Sequence, residues 1–260
     1  MRDPDVSDIL EEWPYDPNRN ARIVTNADGS QKLQIRLRLG LLQMELDGRP
    51  DGQRPYGFDT VLEHYQHRLD EYRDEHDTDD GFELDHDAWD ELSAEGVLFY
   101  ERYVVLFQLG DYDRTARDTA RNLAMFDFCK EYAERPEDVA ALEQYRPYLI
   151  RMSAAAIAMA RLQDDRPDDA RATLRRALDE LDQLDAVPTT VFQVEVDRAR
   201  SMLEGMLNDI KAERTTPTEL DKLRDELARA VREERYEDAA NLRDRIRRIN
   251  EHGPGGIAEG

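Results

Sequence analysis

Residues 88–133 read "AWDELSAEGVLFYERYVVLFQLGDYDRTARDTARNLAMFDFCKEYA", and they decide the fold. Two stretches with helical spacing of apolar residues flank Gly110-Asp111-Tyr112, a three-residue group of turn formers. Apolar side chains recurring every three or four positions put a stripe on one face of a helix, and a short Gly-containing turn folds two such helices back on each other. Phe99, Tyr103, Phe107, Met125, Phe126 and Phe128 form the heaviest part of that stripe and read as core rather than as a cofactor site. Cys129, set between aromatics in "MFDFCKEYA", reads as a small buried hydrophobe.

The pattern repeats towards the C-terminus. "YLIRMSAAAIAMARLQ" meets "DDARATLRRALDEL" at Asp164 to Pro167, and "TVFQVEVDRARSMLEGMLNDIKAE" follows Pro188, giving five long helices between Asp87 and about Lys211. The turns "GDYDRT" and "DRPDDA" each place a turn former, then Tyr or Pro two residues later, then a small residue at a close helix approach. This resembles the helical hairpins of tetratricopeptide-type proteins, in degenerate form, since the two turns lie about 55 residues apart rather than the roughly 34 of a regular array. Upstream, "DTVLEHYQHRLDEYR" at 59–73 places Val61, Leu62, Tyr65, Leu69 and Tyr72 on one stripe, with Asp59 as the expected N-cap. The acidic "DEHDTDDGFELDHD" that follows does not supply the oxygen ligands of a calcium loop, because His76 and Thr78 fall at its first and third positions, and it reads as a solvated loop.

Ahead of the helices the period changes to two. Asn26 to Gly29 carry turn chemistry between apolar stretches, which predicts an antiparallel β-hairpin from Ala21. Leu33, Ile35, Leu37 and Leu39 alternate with polar residues, and the parity then flips to Leu42, Met44 and Leu46, which is read as a bulge at Gly40 and Leu41. "DGRPDGQRP" ends the strand. It lacks the Lys and Ser or Thr of a phosphate loop and the strand-to-helix setting of a dinucleotide loop, so it is expected to be a structural turn. Arg49, Asp51 and Arg54 remain the candidate anion or ligand contacts of loop 47–57, against the simpler reading of a local ion-pair network.

Beyond "ERTTPTE", Thr216 as cap, Pro217 at the first helical position and Glu219 as the partner of a capping box mark a new helix. Leu220, Leu223, Leu227 and Ala230 step by three and four, as do Ala239, Leu242, Ile246 and Ile249, so two short seams predict an antiparallel helical hairpin. "LARAVREERYEDAANLRDRI" resembles the UVR motif, the C-terminal module of UvrB and UvrC that is also found in the protease regulators McsA and ClpC. The likeness covers about 35 of 260 residues and rests on Tyr236, Glu237, Ala239, Ala240, Arg243 and Asp244. It implies a protein-interaction hairpin, with Tyr236, Glu237, Ala240, Leu242, Arg243 and Asp244 as partner-binding residues. The implied partner is another UVR-containing protein of the UvrB, UvrC or protease-regulator type, with a homodimer as the self-pairing form. The remainder of the chain carries no Walker lysine loop, nothing like the UvrC nuclease, and only one Cys, too few for the McsA zinc sites.

Taken together, the expected architecture is mainly α. It comprises a tail at 1–20, a β-hairpin and turn element at 21–58, a TPR-like helical bundle at 59–213, a linker at 214–218, a UVR hairpin at 219–250 and a second tail at 251–260. Net charge is −23, which disfavours direct contact with nucleic acid or anionic lipid. With no basic-then-apolar start, no apolar run of membrane length and a single Cys, a cytoplasmic protein without membrane spans is expected. No cofactor is expected. His64 and His67, three apart on a helix with acids nearby, lack a third ligand fixed by spacing, so no metal is expected either. The expected role is a non-catalytic interaction adaptor linked to excision repair or regulated proteolysis. The alternative is an enzyme or small-ligand protein that uses loop 47–57.

Overall fold

A computed structural model describes residues 5–215, 219–232 and 235–252; the side chains of 212–215, 219–222, 224, 225, 232, 236 and 248–252 are not described. The chain is mainly helical with one three-stranded antiparallel sheet near its start, and divides into two compact units, Met1–Met206 and Leu207–Gly260.

In the first unit the sheet is ordered β1 (Ala21–Thr25), β2 (Gln31–Leu37) and β3 (Gly40–Glu45). The β1–β2 turn closes with Asn26 N–H donating to Ser30 O at 2.8 Å, and Gly29 takes φ +84°, a left-handed conformation that glycine adopts without steric cost. What the sequence suggests as one bulged strand is two strands. Leu37 pairs with Gly40, Ile35 with Leu42 and Leu33 with Met44. A two-residue turn at Arg38-Leu39 therefore reverses the chain, and the parity flip is the mark of that reversal. Leu39 sits at the tip, 96% exposed.

The sheet is covered on both faces. Leu33, Ile35, Met44 and Leu46 form one cluster with Leu106 of the helical body. On the other face Arg36, also buried, donates from Nε to Trp13 O at 2.8 Å, and the Arg22 guanidinium lies 4.1 Å over the Trp13 ring. Residues 7–20 thus contribute α1 (Ser7–Glu12) and a lid on the outer face of β2.

α2 (Val61–His76) starts with a Thr60 cap and a Glu63 carboxylate that reaches back to the residue before it. Thr60 Oγ1 accepts from Glu63 N–H at 3.1 Å and Glu63 Oε2 accepts from Asp59 N–H at 3.1 Å, so Thr60 is the cap and Asp59 the residue before it. α3 (His86–Gln108) and α4 (Tyr112–Tyr132) form the expected hairpin, with Gly110 at φ +77° and Asp111 capping α4. A short helix absent from the sequence reading, α5 (Pro136–Glu143), precedes α6 (Arg146–Gln163), which turns at Asp165, φ +57°, into α7 (Pro167–Asp182). α4 packs on α6, so the two hairpins stack through their inner members. Small residues set that approach: Ala154, Ala155, Ala156 and Ala158 of α6 and Ala170 of α7 are at most 5% exposed. Gly96 does the same on α3, since a Cβ there would lie 2.6 Å from Met125 Cε of α4. Phe99, Tyr103, Met125, Phe126, Phe128 and Cys129 are buried, as the apolar stripe implies. α8 (Thr190–Thr215) crosses the division between the units. In the second unit α9 (Glu219–Arg232) and α10 (Tyr236–His252) pack against each other. Among the described residues no helix is long and apolar enough to cross a membrane.

Candidate functional site

The hairpin of α9 and α10 is built on a thin seam. Leu223, Ala230 and Ala239 are buried and Leu227, Leu242 and Ile246 half-buried, which is the three-four spacing of the sequence made physical. The side chains of Leu220 and Ile249, and all of Thr216 and Pro217, lie outside the described residues. Arg235 N–H donates to Ala230 O at 2.9 Å and closes the end of α9; Ala239 N–H donates to Arg235 O at 3.0 Å and opens α10. Glu237 and Asp238 occupy the first turn of α10, where the exposed N–H groups of a helix favour negative charge.

The sequence-predicted contact residues divide between seam and surface. Glu237, Ala240 and Arg243 are all exposed and step by three along α10, so they share one outward strip. Leu242 belongs to the seam. Asp244 is half-buried and accepts from Arg247 Nη2 at 2.6 Å, with Arg243 Nε at 3.6 Å; the Arg247 hydrogen bond first, then the charges of both arginines, hold its carboxyl below the usual range. The side chain of Tyr236, first residue of α10, lies outside the described residues. Among the described residues the strip is therefore one small apolar residue, Ala240, between a carboxylate and a guanidinium. It can form complementary ion pairs around a close helix approach.

Loop 47–57 is a different kind of place. Gly48 and Gly52 take φ +65° and +70°, so the glycines serve the backbone. Arg49 donates from Nε to Asp51 Oδ1 at 2.9 Å and from Nη1 to Glu95 Oε1 at 3.2 Å, Asp51 also accepts from Gln53 N–H, and Arg54 pairs with Asp59 at 2.7 Å on the surface. All three candidate ligand contacts are thus engaged within the chain.

Beneath the loop lie charges that the sequence reading did not single out. Glu95, 1% exposed, accepts from Val61 N–H at 2.8 Å and Leu62 N–H at 3.3 Å, capping α2, and pairs with Arg49 and Arg121. Burial pushes the Arg121 guanidinium down to about 9. Arg102 binds Asp118 and donates from Nη1 to Glu45 O at 3.0 Å and Gly48 O at 2.8 Å, while Arg117 pairs with Asp47, whose carboxyl it holds below the usual range. The available signal is positional: Glu95, Phe99, Arg102 and Leu106 share one helical face, so two charges stand where the period expects core.

Among the described residues no group of three or more His, Cys, Asp or Glu side chains is arranged to hold a metal ion. His64 instead stacks on Tyr56 with ring centroids 4.1 Å apart, and burial, ahead of the nearby Arg68 charge, holds its imidazole below the ordinary range.

The model of the UvrB/uvrC motif (UVR) matches residues 218–251, the span of this hairpin. No curated protein and no solved structure matches the chain.

Proposed function

We propose that this protein is an interaction adaptor that binds its partner through the α9–α10 hairpin. The partner class is a protein carrying a UVR hairpin of its own, from the UvrB/UvrC repair machinery or from regulated proteolysis. The motif match over 218–251 carries the reading. The exposed Glu237, Ala240 and Arg243 strip supports it, because a charge-flanked small residue suits parallel approach of a second helix with the opposite charge order. The thin seam supports it too, since so small an apolar interior gains stability from further burial.

The test is capture from native lysate with three full-length proteins: the unmodified chain, Glu237→Arg/Arg243→Glu, and a control with a charge change on α2, Glu71→Arg. The reading expects one partner held by the first and third and lost by the second, with all three equally helical. Equal capture by all three would sink it. Sedimentation of the purified chain separates pairing with a second copy from pairing with a different protein.

A further inference from the structure

The first unit contains a groove that neither the hairpin nor the loop uses. It lies among α3, α4, α5, α6 and the first turns of α8 and has a volume of about 540 Å³, within the roughly 300–1,000 Å³ of small-molecule sites. Its walls are aromatic: Trp89, Tyr100 and Tyr103 from α3 face Tyr145 and Tyr148 from the start of α6. At the mouth Val97, Tyr100 and Tyr145 are 53%, 45% and 46% exposed, a cluster of large apolar side chains left in water.

The charge in the groove is gathered at one end. Glu195 accepts from Arg198 Nη1 at 2.8 Å and lies 3.5 Å from Arg151 Nη2. Two guanidinium groups thus face one carboxylate, and this corner is locally positive in a chain of net charge −23. Two further donors belong to side chains lining the groove: Trp89 Nε1 and Arg151 Nε are buried and have no hydrogen-bond partner. Glu195 Oε2, in the same corner as Arg151, is likewise buried without a hydrogen-bond partner. Buried polar atoms left unpaired carry an uncompensated desolvation cost.

We propose that this groove binds a small aromatic acid, its rings between the tyrosine and tryptophan walls and its anionic group at Arg151 and Arg198. A cationic ligand would meet two guanidinium groups. A neutral apolar one would leave the corner positive and Arg151 Nε unanswered. The inference is independent of the hairpin and of any partner it has.

Fluorescence titration of the full-length chain with anilinonaphthalene sulfonate, an aromatic anion, beside neutral phenylnaphthylamine tests it. Saturation at one site is expected, with the sulfonate bound about tenfold more tightly than the neutral probe, the size of one charge-assisted hydrogen bond. Arg198→Gln should lose most of that preference and keep the neutral probe. Its side chain is 64% exposed, so the fold does not depend on it. Arg151→Gln, checked first for a native melting transition, should do the same. Equal affinity for the two probes, several weak sites, or an unchanged preference in Arg198→Gln would overturn the proposal, and Arg198→Gln decides alone if Arg151→Gln fails to fold.

Discussion

Arg102 and Asp118 face each other across the α3–α4 hairpin as a two-pronged pair, Nε to Oδ2 at 2.6 Å and Nη2 to Oδ1 at 2.9 Å, with both side chains out of water. The remaining nitrogen of Arg102 reaches the backbone carbonyls of Glu45 and Gly48. One guanidinium therefore joins two helices to the end of β3. Removing one partner of a buried pair leaves an uncompensated charge, at a cost of about 3–5 kcal/mol. Asp118→Asn should lower the melting temperature by on the order of 10 °C for a body of this size. Arg102→Met/Asp118→Leu should recover only part of that, because the two carbonyls still lose their donor. A melt of Asp118→Asn within a degree or two of the unmodified chain would show that the pair is not what holds the sheet down.

Cys129 is fully buried, and burial pushes its thiol up to about 12 from an ordinary value near 9. The sign follows from which form the fold prefers. The folded chain keeps the proton that the unfolded chain releases, so this contribution to stability is whole below about pH 9 and is lost as pH rises towards about 12. The thiolate is the reactive form. Iodoacetamide near neutral pH should therefore leave the folded protein unlabelled and label it fully in urea, as read by intact mass. Rapid labelling without denaturant would contradict the burial.

The seam of the C-terminal hairpin separates its structural residues from its surface. Ala239→Asp puts a carboxylate at a buried position between α9 and α10 and should abolish protection from hydrogen exchange across 235–247. Arg243→Ala, on the exposed strip, should leave that protection intact, and exchange across 86–132 should be unchanged in both. Equal protection in Ala239→Asp and the unmodified chain would mean that the seam does not hold the hairpin together.

Sequence pattern carried the long helices well, because each pairs a stripe of period 3.6 with turn chemistry at its end: Gly110-Asp111 for α3 and α4, Asp164 to Pro167 for α6 and α7. It missed α5, whose eight residues give barely two turns of pattern. The turn between β2 and β3 escaped for a different reason. Arg38 and Leu39 have none of the Gly, Asn or Asp that usually announce a two-residue turn, so only the parity flip betrayed it. The seam of the hairpin was legible because its contacts are local. The buried charges were not, since Arg102 meets Asp118 sixteen residues away and Glu95 meets backbone more than thirty residues upstream. The groove was illegible for the same reason, being assembled from five helices, none of which announces it alone.

The tie between Arg102 and the end of β3 also constrains the order in which the chain can fold. Its contacts to Glu45 and Gly48 span 57 and 54 positions, and Arg117 reaches Leu46 across 71. Closing loops of that length is slow beside forming a local helical hairpin. As the ribosome releases the chain, the three strands emerge ahead of α3 and α4 yet have no finished seat until those helices have followed and zipped together. The sheet is then made before the helices that seat it, and for that interval its open strand edges are the part of the nascent chain most in need of shelter.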